Sequence, residues 1–173
     1  MNKFLFFPIF FTFFHGQVSA GNGLDVEFSG ELVSTACRIS SDSLNKKVTL
    51  YNLRWQSINK DVYSEITSFD IEIDNCSQSD LNKSIKMSWI SSQLISIDGN
   101  KFLTTQGDSN VLLGLSDKEG TPVDWNEPVN IGNVSNAGTS QRFTFGVYVR
   151  KPVSGDANVG DFSGVATFSL DYE

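Results

Sequence analysis

The chain has 173 residues, with 20 acidic against 13 basic side chains and a formal net charge of −7, a balance that argues against nucleic acid or an anionic membrane surface as partner. Its one histidine, His15, falls in a segment read below as a leader. The rest of the chain therefore has no imidazole for general acid–base work, for a Ser-His-Asp or Cys-His pair, or for metal ligation.

In chain order, residues 1–20 read as a signal peptide: Lys3 supplies a short positive start, Phe4–Phe14 is apolar, and Val18-Ser19-Ala20 is a small-residue cleavage site. The apolar run is too short for a bilayer span, which takes about twenty residues. Cleavage after Ala20 leaves the 153 residues Gly21–Glu173 with a charge of −8, since Lys3 goes with the leader. That length is one ordinary domain with a sizeable core.

From Gly21 the apolar positions Leu24, Val26 and Phe28 alternate with Asp25, Glu27 and Ser29, the period of a strand with one buried face. A terminal segment is ordered only when docked, so these side chains need a surface; the domain's own sheet is one candidate. Glu31–Ile39 is a further expected strand, followed by a polar turn at Ser40–Lys47 and a short alternating run through Val48 and Leu50. Asn52–Thr67, of mixed polarity with Trp55 and Tyr63, reads as a long connection or an edge strand. Phe69, Ile71 and Ile73 alternate with Asp70, Glu72 and Asp74 and deliver Cys76. In an exported chain the even pair Cys37 and Cys76 reads as a disulfide, worth up to about 4 kcal/mol for a loop of about forty residues.

Ile85, Met87 and Trp89 form the next expected strand, Asp98-Gly99-Asn100 a turn, and Val111, Leu113 and Leu115 another strand, closed by the turn Asp117-Lys-Glu-Gly120. Trp125–Thr139 reads mostly as loop. Phe143, Phe145, Val147 and Val149 make a strong strand, and Lys151–Asn158 leads to the last one. There Gly160, Phe162, Gly164, Ala166, Phe168, Leu170 and Tyr172 lie on one face, with Asp161, Ser163, Val165, Thr167, Ser169, Asp171 and Glu173 on the other. Nothing follows to cover this strand's free edge, so an outside strand is expected to do so. No window has a sustained helical period, and the fold class expected is an all-β, immunoglobulin-like antiparallel sandwich.

Several features in this order resemble a chaperone–usher fimbrial (pilin) subunit. They are Asp25-Val-Glu-Phe-Ser-Gly30, Cys37 seven residues later, Cys76 at the end of the Phe69/Ile71/Ile73 strand, Gly160 fourteenth from the end and Tyr172 second from the end. The resemblance covers essentially all of Gly21–Glu173, with each motif weak alone and the ordered set specific. It implies an incomplete immunoglobulin-like domain lacking its final strand, built as a signal peptide at 1–20, a donor-strand extension at 21–29 and a pilin domain at 30–173. It also implies a periplasmic chaperone, an outer-membrane usher and neighbouring pilus subunits as partners, and a place in the cell-surface fimbria. Asn22, Leu24, Val26 and Phe28 would be donated; Gly160, Phe162, Gly164, Ala166, Phe168, Leu170, Tyr172 and Glu173 would form the acceptor groove and chaperone contact. The short segment before Gly30 is most like minor tip-fibrillum subunits of type 1 and P pili.

No cofactor or metal is implied. Asp98-Gly-Asn and Asp117-Lys-Glu-Gly do not fit an EF-hand loop and read as turns, and the carboxylates fall mainly on outward positions, which disfavours glycosidase-type chemistry. The competing reading is a self-contained secreted β-sandwich that stacks carbohydrate or a host protein on Trp55, Trp89 or Trp125.

Overall fold

The computed structural model describes residues 37–173; the expected leader and the strand through Leu24, Val26 and Phe28 lie outside the described residues. Among the described residues nine strands form two sheets. The larger has the order β1 (Arg38–Ile39), β2 (Thr67–Asp74), β8 (Gln141–Arg150), β6 (Leu112–Ser116), β5 (Asn100–Thr104) and β4 (Leu94–Ile97). The smaller has β7 (Val129–Asn133), β3 (Ser84–Ile90) and β9 (Thr167–Tyr172). All strand pairs are antiparallel. The all-β sandwich expected from the alternating runs is the observed architecture.

The core sits between the sheets, where period-two patterning sends every second side chain. Ile71 on β2, Met87 and Trp89 on β3, Leu113 and Leu115 on β6, and Phe145, Val147 and Val149 on β8 form one buried cluster. A second, smaller cluster gathers Ile73, Ile85 and Val134 round the Cys37–Cys76 disulfide. Trp125 is 1% exposed and Trp89 6%, so neither offers a stacking face to solvent; of the three tryptophans only Trp55 is exposed.

Local chemistry fixes the turns. Asp98 and Gly99 take φ of +51° and +85° between the paired Ile97 and Asn100, the two-residue hairpin that needs left-handed backbone at both positions. The Asp117 carboxylate accepts from the Glu119 and Thr121 amides and is thereby occupied as a turn device.

Three expectations are corrected. Asn52–Thr67 contains a helix, α2 (Trp55–Asp61), after the shorter α1 (Ser41–Leu44). Arg54 at its N-cap makes no side-chain cap bond; tertiary contacts hold it, through buried Ile58 and paired bonds of the Asn59 amide with Ala157 O and N at 3.1 and 2.7 Å. The run through Val48 and Leu50 forms no strand, although both side chains pack on the main core. The region Trp125–Thr139 includes β7, whose pairing with β3 is interrupted by a register shift at Ile85/Lys86 opposite Gly132.

The single turn of 3₁₀-helix at Gln78–Asp80 is held by a capping box: Asp80 Oδ2 accepts from the Ser77 amide at 2.9 Å and from the Ser77 hydroxyl, and Lys83 Nζ donates to Oδ1 at 2.8 Å. The Lys83 ammonium first, then Ser77, holds the Asp80 carboxyl at about 2. Against an unfolded value of about 3.9 this contribution is whole above that value and is lost as pH falls towards 2. The melting temperature of Asp80→Asn should therefore fall less steeply than that of the parent between pH 4 and pH 2, while lying below it at neutral pH; thermal melts across that range read it.

Candidate functional site: an open apolar groove beside the last strand

β9 pairs only with β3 among the described residues, from Ile85↔Tyr172 to Ile90↔Thr167. Its second edge faces a groove of about 1050 Å³. Phe69, Trp89, Leu103, Leu113 and Trp125 line the groove from the core, with residues 160–168 and 43–50 completing it. Among the described residues no backbone hydrogen bond engages residues 46–53, so both borders offer unpaired peptide groups.

The period-two pattern predicts one strand over 160–173. The structure begins β9 at Thr167, because the preceding stretch crosses to the other sheet. Ser163 exchanges backbone bonds with Gln106 at 2.8 and 2.9 Å. The crossing is close: a Cβ on Gly107, whose φ is +110°, would lie 2.2 Å from Asp161 O, and one on Gly160 2.8 Å from the Asp108 Cβ. A Cβ at Gly164 would sit 2.8 Å from a Leu113 methyl and 2.9 Å from a Leu103 methyl. Small residues here keep the groove both tight against the core and open above it.

Gly160, Phe162, Gly164, Ala166 and Phe168 line the groove. Phe162, Ala166 and Phe168 are each only half-buried among the described residues, since one face of each lines the groove. Phe168 rests on Trp89 with ring centroids 5.4 Å apart. Leu170 and Tyr172 are placed further along, against the disulfide cluster, and are not among the groove-lining residues. Glu173 exchanges backbone bonds with Ser84 at 2.7 and 3.0 Å, and its side chain pairs with Lys86 at 2.6 Å. Sequence reasoning missed the far border, residues 43–50, because Val48 and Leu50 alone are too short a pattern to announce a groove wall.

A family model described as fimbrial protein matches residues 26–173. The chain belongs to the fimbrial protein family. This fimbrial protein is 26% identical over 150 residues to the PRS fimbrial major pilin protein of Escherichia coli, covering 86% of this chain and 93% of the relative. It is also 26% identical over 172 residues to the fimbrial adapter PapK of Escherichia coli, covering 90% and 92%. Its fold matches the crystal structure of the P pilus rod subunit PapA with a TM-score of 0.63 at 19% identity, over 80% of this chain and 100% of that one. The fimbrial protein thus has the immunoglobulin-like pilin fold, and is a structural subunit of chaperone–usher fimbriae, exported and assembled at the cell surface.

Proposed function

We propose that the groove receives a strand from another polypeptide: a periplasmic chaperone first, and in the fibre the extension of a neighbouring subunit. The edge of β9 left unpaired among the described residues, above an apolar cavity, carries this reading. Donor-strand complementation is an established form of β-augmentation for chaperone–pilin pairs, and this chain has the parts for it. Residues 21–29 would be its own donor segment, following a leader at 1–20 and preceding the domain at 30–173, with Asn22, Leu24, Val26 and Phe28 facing the acceptor.

Magnitudes suit the role. Burying Leu24, Val26 and Phe28 is worth about 5 to 9 kcal/mol at roughly 1.5 to 3 each, with ladder hydrogen bonds adding about 0.5 to 1.5 each. Domain stability is itself about 5 to 15 kcal/mol, so such a contact holds a fibre without covalent links. The Glu173 end, with its carboxylate, is assigned to the chaperone contact, and an outer-membrane usher to the exchange. We assign the subunit to the minor or tip class that mediates cell adhesion, and no catalytic role to it.

The test is refolding of the chain with a synthetic peptide of residues 21–30. The peptide should co-purify and raise the melting temperature by at least about 10 °C, at roughly 2 to 4 °C per kcal/mol. A peptide with Leu24, Val26 and Phe28 all changed to Ser should do neither. A chain that stays monomeric, with the same melt with or without peptide, would overturn the reading.

A further inference from the structure

The outward face of a sandwich sheet is normally polar, and half of the large sheet follows that rule: Arg142 bridges Asp70 and Glu72, and Thr144 donates to Asp70. The other half does not. Phe102 is 2% exposed although it lies on the outward side of β5, next to core-facing Leu103. Tyr148 lies so flat across β6 that a Cβ on Gly114 would be 2.2 Å from its ring. Tyr63 meets Tyr148 edge-on with centroids 5.8 Å apart and Phe102 at 6.5 Å. It is delivered there by Val62, a β-branched residue at φ +72°.

Inside this ring of aromatics sits the Arg150 guanidinium, 8% exposed, its carbon 5.7 Å from the Tyr63 centroid and 5.2 Å from that of Phe102. Nη1 donates to Lys151 O at 3.0 Å, while Nε has no partner among the described residues. The less buried Lys83, Lys86, Lys118 and Arg142 all pair with carboxylates, whereas Arg150 pairs with none among the described residues. A buried charge is costly unless an opposite charge meets it. Tyr63 and Phe102 both stand against the guanidinium, and its Nε–H, unpartnered among the described residues, is left for an acceptor.

We infer that the Tyr63–Tyr148–Arg150 patch on the outer face of the large sheet is a second contact surface, distinct from the groove, that takes an Asp or Glu side chain of a neighbouring fimbrial subunit. Charge complementarity selects this occupant. A chain with 20 carboxylates against 13 basic residues presents acidic side chains to its neighbours far more often than it offers a buried cation to receive one. The inference rests on the assembly proposed above, since the neighbour must be brought close by the fibre.

Photo-crosslinking in fibres made by the full chain with its own assembly system tests it. A benzophenone amino acid at position 63 or 148 should cross-link to a neighbouring subunit beside an Asp or Glu, and the same group at position 24 should report the strand-in-groove contact. Arg150→Gln should lower the cross-link from position 63 by about tenfold or more and leave that from position 24 intact. Tyr63→Glu, which supplies the carboxylate within the chain, should do the same to the cross-link from position 148 and guards against a folding defect in Arg150→Gln. A position-24 cross-link with none from 63 or 148 would overturn the inference, as would cross-links unchanged by both variants or made only to a non-fimbrial molecule. Loss of the position-24 cross-link in the parent would count against the fibre assembly itself, and this contact would fall with it.

Discussion

Trp89→Ala is expected to cost about 4 kcal/mol, within the range of about 3 to 5 for deleting a buried large aromatic. Trp89 stands where the two sheets meet: on β3, with ring centroids 5.9 Å from Phe69, 5.4 Å from Phe145 and 5.4 Å from Phe168. Its indole N–H has no partner among the described residues, so the loss comes from the void and the missing contacts rather than from a broken hydrogen bond. The same void removes the support under Phe168, and affinity for the 21–30 peptide should fall together with stability. Urea unfolding with peptide at saturation would show a lower midpoint at unchanged slope. A loss under about 1 kcal/mol would show that the groove wall refills without it.

Replacing Cys37 and Cys76 together with Ala is expected to remove another amount of about 4 kcal/mol, since the bridge closes a loop spanning a sequence separation of 39 and restricts the unfolded chain. The pair ties the start of β1 to the residues after β2, and Leu170 and Tyr172 lean on the cluster it anchors. The double variant should therefore free the far half of β9 first, which hydrogen exchange at the amides of Asp171 and Glu173, the ones that face β3, would register as lost protection. An oxidised parent and a double-Ala variant with equal urea midpoints would contradict the expectation. Against a typical domain stability of about 5 to 15 kcal/mol, either change removes a large fraction of the total.

Strands with one wet face were legible in the sequence. Phe69/Ile71/Ile73, Ile85/Met87/Trp89 and Phe143/Phe145/Val147/Val149 alternate with polar residues and became β2, β3 and β8, because the period of two is the period of the pleat. The edge of the last strand was legible too, but not its division at Thr167: the pull of Gln106 on Ser163 is a contact across 57 positions of chain that no local pattern announces. Helix α2 was hidden by its shortness and by Ile58 as its one buried residue, which leaves no 3.6-residue period to read. The aromatic patch round Arg150 escaped for a related reason. Phe102 on β5, Tyr148 on β8 and Tyr63 in the connection after α2 lie far apart in the chain and meet only once β5, β6 and β8 are in register.

The crossing of residues 160–166 bears on how the molecule withstands tension. A stretch rung-bonded to β3 at Thr167–Tyr172 and clasped at Ser163 to Gln106, just past the end of β5, is held at both ends. Force entering along that stretch is shared between these two attachments and acts in shear on several rungs at once, so the three-stranded sheet does not peel away one bond at a time.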